Sequence, residues 1–460
     1  MAHPYMANSA PGVREEMLAA IGVADVEELF EQIPDAHRHR EPIRLEPALA
    51  SEADLTRRLR RALARNRTCE ENLSFLGGGT WQHHVPAVCD ELVDRTEFLT
   101  PVWGTPSSDH GRNQAWFEFA SQLGELLDMD FVGLPVYSWG CAAGHAIRMA
   151  SRLTGRREVL VPRSIDPERL AVIRTYCEPP ELPGHIAVTA VATDPATGRI
   201  DIADLRAKLS EATAAVYFDN PSYLGVLEAD AAEIAALAHE HGAEVIVGAD
   251  PISLGVVAPP SAYGADIVVG STQPLGVHMS CGGGAGGFIA TRDEERYARE
   301  YPTLMVSLCE TAEPGERGFG MMLFEQSSYG SREHGKDWTG NSVYLWTVAN
   351  AAYMALLGPQ GFAELGEAIL SRSHYAAGRI ERLPGVSVAF GGFFKEFVVT
   401  FERRTVAEVN AALLERGIFG GLDLSADFPE LGQSALYCVT EVHAQEDLDR
   451  LADALAEVTA

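Results

Sequence analysis

Lysine is nearly absent from this 460-residue chain: only Lys208, Lys336 and Lys395 occur, and the rest of its 36 basic residues are arginine. Chemistry that needs an amine to form an imine therefore has three candidates. No run of eighteen or more apolar residues occurs, so no membrane-spanning helix is expected. Met1–Arg14 lacks the basic-then-apolar order of a secretory leader, and a cytoplasmic location is expected. The cysteines, Cys69, Cys89, Cys141, Cys177, Cys281, Cys309 and Cys438, form no Cys-x-x-Cys pair. Reduced thiols are expected rather than structural zinc or a disulfide framework. Excess basic charge is missing as well. The formal net charge of −29 is the opposite of the footprint that binds a phosphate backbone.

What is present is an ordinary globular composition, 46% hydrophobic and 22% charged, in a chain long enough for one large domain and a smaller one. Residues 11–70 read as helices. Glu15–Ile21 is amphipathic and stops at Gly22, and Val26–Phe30 ends before Pro34. Ser51-Glu52-Ala53-Asp54 reads as an N-cap with acids in the first turn of an Arg-rich helix. From about Trp116 to Thr291 short apolar runs alternate with helices. Glu158–Pro162, Ala214–Phe218 and Glu244–Gly248 are continuous, as strands buried on both faces should be, with Ala231–His241 a crossover helix of the right length. Ile267–Val269 and Gly287–Ala290 add strands, and a doubly covered, mostly parallel sheet follows. After Asn341 the pattern gives helices at Val343–Leu357 and Phe362–Arg382, strands at Val386–Phe390 and Glu396–Phe401, a helix at Val406–Arg416, a strand at Leu436–Val442 and a helix at Glu446–Glu457. The expected division is a helical arm over residues 1–100, a large α/β domain over 101–340 and a small α+β domain over 341–460.

Asp250 closes a buried strand, where open α/β sheets bind ligands. In pyridoxal 5′-phosphate (PLP) enzymes of such a fold this acid pairs with the pyridinium nitrogen, which keeps the cofactor an electron sink. The next strand, about twenty residues on, normally ends in the Schiff-base lysine. Here it ends in Ser271-Thr272-Gln273. Lys208 lies in a surface-patterned helix, Lys395 in the small-domain hairpin and Lys336 in a Gly-rich loop, so none replaces it. Tyr137-Ser138-Trp139-Gly140-Cys141-Ala142-Ala143-Gly144-His145 opens a helix whose N–H groups suit a phosphate, although its small residues also suit close helix–sheet packing. His83-His84 follows Gly77-Gly78-Gly79, but neighbours on an extended segment face opposite ways, and no metal site is expected. Asp109-His110 is a candidate acid–base pair.

Six ordered segments carry a resemblance to one family. They are Met17–Val23 running into Ile33-Pro34; Phe75–Gly79 through His83 to Val88; Asp250–Gly255 with Gly264–Gly270 and Gln273–Gly276; Ala355–Pro359; Gly417–Gly421; and Cys438–Glu441. Together they resemble the alpha subunit of glycine dehydrogenase (decarboxylating), over essentially the whole chain. The resemblance implies a fold-type-I PLP-transferase architecture (aspartate-aminotransferase-like), with PLP and its lysine in a beta-subunit partner. It also implies that the complex decarboxylates glycine and passes the aminomethyl group to a lipoylated H protein.

Three segments depart from the family pattern. Tyr137–Ala142 stands where Tyr-Asp-Gly-Ala-Thr-Ala is usual. Gly104–Gly111 is about one residue shorter than its counterpart. The Arg-Arg-Glu-Lys-Ala-Thr-Ser-Asn motif is reduced to Arg332-Glu333, an insert with Lys336, and Thr339-Gly340-Asn341. Either an unused pocket has drifted, or the complex is refitted to another amino acid or amine; a non-catalytic scaffold for a PLP-bearing partner is the third reading. The resulting candidates are Asp109, His110, Arg332 and Lys336 for catalysis. Tyr137, Gly140, His145, Asp250, Thr272 and Gln273 are candidates for a vestigial cofactor site or an interface, with no covalently bound cofactor.

Overall fold

A computed structural model describes all residues except 1, 2, 4, 40, 42, 99–111, 323–330, 340 and 341. It divides into two compact units, residues 1–67 and 68–460. In the first unit, helix α1 (Val13–Ile21) ends where Gly22, at φ 87°, sends its N–H back to the Leu18 carbonyl. Helix α2 (Glu52–Leu63) starts at Ser51, whose hydroxyl accepts from the Asp54 N–H at 3.3 Å. No described residue of this unit is buried.

The second unit is built on a seven-stranded sheet. Its strands are β1 (Phe131–Val132), β2 (Glu158–Pro162), β3 (Ala187–Val191), β4 (Thr213–Asp219), β5 (Glu244–Ala249), β6 (Ile267–Ser271) and β7 (Gly287–Thr291). They lie in the order β1-β7-β6-β5-β4-β2-β3. Strands β3 to β6 and β2 are parallel, and β7 runs antiparallel beside β6. Every residue of β4, β5 and β6 is buried, which is why these strands read as unbroken apolar runs. Helices α3 (Asn113–Leu127), α4 (Trp139–Thr154), α5 (Pro167–Cys177) and α6 (Ala231–Glu240) sit around the sheet. The apolar core is correspondingly double: Val245 and Val247 face a cluster with Phe119 and Leu237, while Ile246 faces one with Ala143 and Ile147.

Helix α7 (Trp346–Ile380) consists of two helical stretches that part at Gly358, where the sequence places the break between two helices. Gly358 takes φ 58°, ψ −179° ahead of Pro359, so the chain bends there and the helix resumes. Strands β8 (Val386–Val388), β9 (Glu396–Phe401), β10 (Leu422–Asp423) and β11 (Ser434–Cys438) form an antiparallel sheet in the order β8-β9-β11-β10. It is covered by α8 (Val406–Glu415) and α9 (Gln445–Thr459). The short strand Leu73–Ser74 pairs in parallel with Ile418–Phe419, and the Cys438 N–H then bonds the Phe75 carbonyl at 2.9 Å. These bonds bring the glycine motif Gly77–Gly79 beside the start of β9.

Candidate functional site

The carboxyl ends of three neighbouring strands border two adjoining cavities: Asp219, ending β4, and Asp250, following β5, line one, and Ser271, ending β6 ahead of Thr272 and Gln273, lines the other. Asp250 is 4% exposed. Its Oδ1 accepts from the Ile252 N–H at 3.1 Å. Its Oδ2 lies 2.7 Å from the Nζ of Lys395, whose side chain is as deeply buried. Lys395 precedes β9, as the hairpin reading required, but its side chain crosses to the large sheet.

The ammonium of Lys395 is held on three sides. Besides Asp250, it donates to His83 Nε2 at 2.9 Å and lies 3.8 Å from the centre of the Trp81 ring. Because His83 Nε2 accepts this bond, its proton resides on Nδ1, which donates to Glu441 Oε2 at 2.7 Å. Burial, reinforced by the Lys395 charge, pushes the His83 pKa down, so the ring is neutral. Glu441 also accepts from the His84 N–H at 2.7 Å. Burial opposes its ionisation, but the hydrogen bonds from the His83 ring and the His84 N–H outweigh it and hold the carboxyl below the usual carboxylate range. Glu396 is the exception. Burial drives its pKa up to about 7, although Oε1 accepts from the Gly78 N–H at 2.7 Å and Lys395 is near.

A second buried charge cluster adjoins the first. Arg169, on α5, pairs with Asp219, which also accepts from the Tyr217 hydroxyl at 2.5 Å; its guanidinium stacks 3.7 Å from the Trp139 ring. Neither cluster was singled out from sequence. The local signals were a lysine flanked by Phe393, Phe394 and Phe397, and an acid at the end of β4, but the partners lie far away in the chain.

Gln273 is a latch rather than an open group. Its Oε1 accepts from the Trp81 N–H at 3.1 Å, and its Nε2 donates to the Trp81 and Val277 carbonyls at 3.0 and 3.1 Å. Thr272 donates to the Ala285 carbonyl at 3.0 Å. Ser138 caps α4 by accepting from the Cys141 N–H at 3.2 Å. At Gly140 an added Cβ would come within 3.0 Å of Val172 on α5, so this glycine serves close packing. Tyr137 is half exposed at the rim of the cleft. His145 is buried on the far stretch of α4, bonded to the Thr339 hydroxyl at 3.2 Å; burial lowers its pKa to about 4. Lys336 donates to the Arg299 carbonyl at 3.2 Å and pairs with Glu300, while Arg332 is exposed at φ 49°. These last three residues do not line the cleft. Asp109, His110 and the whole Gly104–Gly111 segment lie outside the described residues. Among the described residues no cluster suits a metal ion, and no helix is long and apolar enough to cross a membrane.

These residues do not fit PLP. A pyridine ring paired with Asp250 would have to stand where the Lys395 Nζ stands. The cavity bounded by Trp81, Trp139, Asp250 and Lys395 measures ≈ 20 Å³, room for one water, against roughly 300–1,000 Å³ for ordinary ligand pockets. The more open cleft beside the start of α4, ≈ 220 Å³, is bordered by Asp166, Glu168 and Arg169, and the Arg169 guanidinium is already paired with Asp166 and Asp219.

The family profile of the glycine cleavage system P-protein matches residues 5–455. Similar curated proteins include probable glycine dehydrogenase (decarboxylating) subunit 1 of Staphylothermus marinus, 37% identical over 99% of this chain and 98% of that protein. The counterpart of Pyrococcus furiosus is 37% identical over the full length of both. Among solved structures, an inhibitor-bound glycine decarboxylase (P-protein) of the glycine cleavage system superposes with a TM-score of 0.85 at 33% identity over all of both chains. A sphingosine-1-phosphate lyase of Burkholderia pseudomallei, TM-score 0.63 at 18% identity over 92% of each, shares the fold alone. The architecture is the fold-type-I PLP-transferase expected from the sequence.

Proposed function

The chain belongs to the glycine cleavage system P-protein family, and from that premise we propose that it is the subunit of a glycine-decarboxylating complex that carries no cofactor-anchoring lysine. A second subunit supplies PLP and its lysine. The complex releases the glycine carboxyl group as carbon dioxide and passes the aminomethyl group to a lipoyl-bearing H protein. The observation that carries this reading is the engagement of all three lysines. Lys208 bonds the Ala190 carbonyl and Asp204, each at 2.7 Å, Lys336 pairs with Glu300, and Lys395 stands on Asp250. Strand β6 meanwhile ends in Gln273, whose amide is spent on Trp81 and Val277. This chain therefore contributes fold, interface and pocket wall.

A second reading, a complex refitted to another amine, draws on the altered Arg332–Thr339 segment. There Asp337 pairs with Arg148 and Arg152 of α4. Labelled bicarbonate exchange into the glycine carboxyl group separates the two. The leading proposal requires exchange when both subunits are present and none with either alone. Exchange by this chain alone would overturn it, and an assembled complex inert toward glycine but active on another amine would favour the refitted reading.

A further inference from the structure

The Lys395 side chain has no place in a fold that merely lost its cofactor. A pocket that simply drifts leaves a void, a water or apolar filler around a buried carboxylate, and an unpaired buried charge is expensive. Here the replacement is specific. One ammonium meets the Asp250 carboxylate at 2.7 Å, lies 3.8 Å from the centre of the Trp81 ring, and is oriented by a neutral imidazole that Glu441 holds in one tautomer. A carboxylate, an aromatic face and a fixed acceptor are what an organic cation requires. We propose that Asp250, Trp81 and His83 form an organic-cation site whose resident cation is the Lys395 ammonium, so the chain is closed to PLP by its own side chain, and that the place takes a small alkylammonium when that side chain is shortened. This goes beyond the proposed function, because it holds whichever amine the complex acts on and is read on this chain alone.

Backbone geometry supports a built arrangement. Gly225, at φ 84°, lies against Glu396 so closely that an added Cβ would fall 1.8 Å from the Glu396 carbonyl oxygen. Gly77 gives way to the Glu396 side chain in the same manner, at 2.0 Å. The segment bearing Lys395 is thereby pressed toward the large sheet. Of the other charged groups at the site, Glu396 bonds Gly78 and Glu441 bonds His83 and His84, which leaves Lys395 to neutralise Asp250.

The test is chemical rescue of full-length Lys395→Ala with n-propylammonium, which restores the missing atoms. The expected result is a lowered thermal midpoint that propylammonium restores saturably and sodium chloride of equal ionic strength does not. No rescue is expected in Lys395→Ala/Asp250→Asn. Rescue that survives loss of Asp250, or a midpoint that sodium chloride restores as well as propylammonium does, would overturn the proposal. Should the variant not fold alone, refolding in propylammonium is the same test. Recovery that depends on propylammonium supports the site, and equal recovery in sodium chloride contradicts it.

Discussion

Replacing Lys395 by methionine removes one charge and little volume, which isolates the electrostatic part of the Lys395–Asp250 contact. Asp250 then keeps a single N–H donor, from Ile252 at 3.1 Å, in a site where it is 4% exposed. His83 Nε2 loses its donor as well. Removing one partner of a buried ion pair costs about 3–5 kcal/mol, because the other charge stays in a poorly solvating interior. Asp250→Asn should cost a similar amount by stranding the lysine. The double variant leaves no stranded charge, so its loss should fall well below the sum of the two, with a coupling of at least about 2 kcal/mol. Equilibrium urea unfolding of the three variants and the native chain, with unchanged slopes, measures this cycle. Additivity within roughly 0.5 kcal/mol would refute the reasoning, since uncoupled residues add to that precision.

Glu396 gives a pH-dependent counterpart. Its carboxyl titrates at about 7 in the fold against 4.5 ordinarily, so between those values the folded chain binds a proton that the unfolded chain has released. Stability from this group is fully present below pH 4.5 and is lost as pH rises through 7. Glu396→Gln should match the native chain at pH 4 and exceed it by about 1–3 kcal/mol at pH 8, read by denaturant unfolding at both values; a gap independent of pH would contradict the burial argument. Gly225→Ala should destabilise by about 2–5 kcal/mol, combining a left-handed backbone with a clash against the Glu396 carbonyl. A thermal midpoint within error of the native one would show that β9 can retreat.

The scaffold was legible because its signals are local. Strands buried on both faces are continuous apolar runs, and Glu158–Pro162, Ala214–Phe218 and Glu244–Gly248 stood out for that reason. Ala187–Val191 did not, because an edge strand with mixed exposure has neither a run nor an alternation. Gly358-Pro359 read as a break, and the backbone does leave helical geometry there, at φ 58° and ψ −179°, before the second helical stretch begins. The opposite facing of His83 and His84 was also readable, and His83 is buried while His84 is exposed. Asp250 and the empty lysine position could be found for the same reason: strand end and terminal residues are contiguous. The charge that answers Asp250 could not. Lys395 meets His83 across 312 positions of chain, and only the fold puts them together. A lysine beside Phe394 signals that something buried pairs with it, without saying what.

In the proposed complex the amine that anchors the cofactor comes from another chain. Borohydride reduction of the assembled, PLP-loaded complex, followed by peptide mass spectrometry of both subunits, tests it directly. The account predicts one reduced adduct, on a lysine of the partner, with Lys208, Lys336 and Lys395 of this chain unmodified. A stoichiometric adduct on any of these three would contradict it.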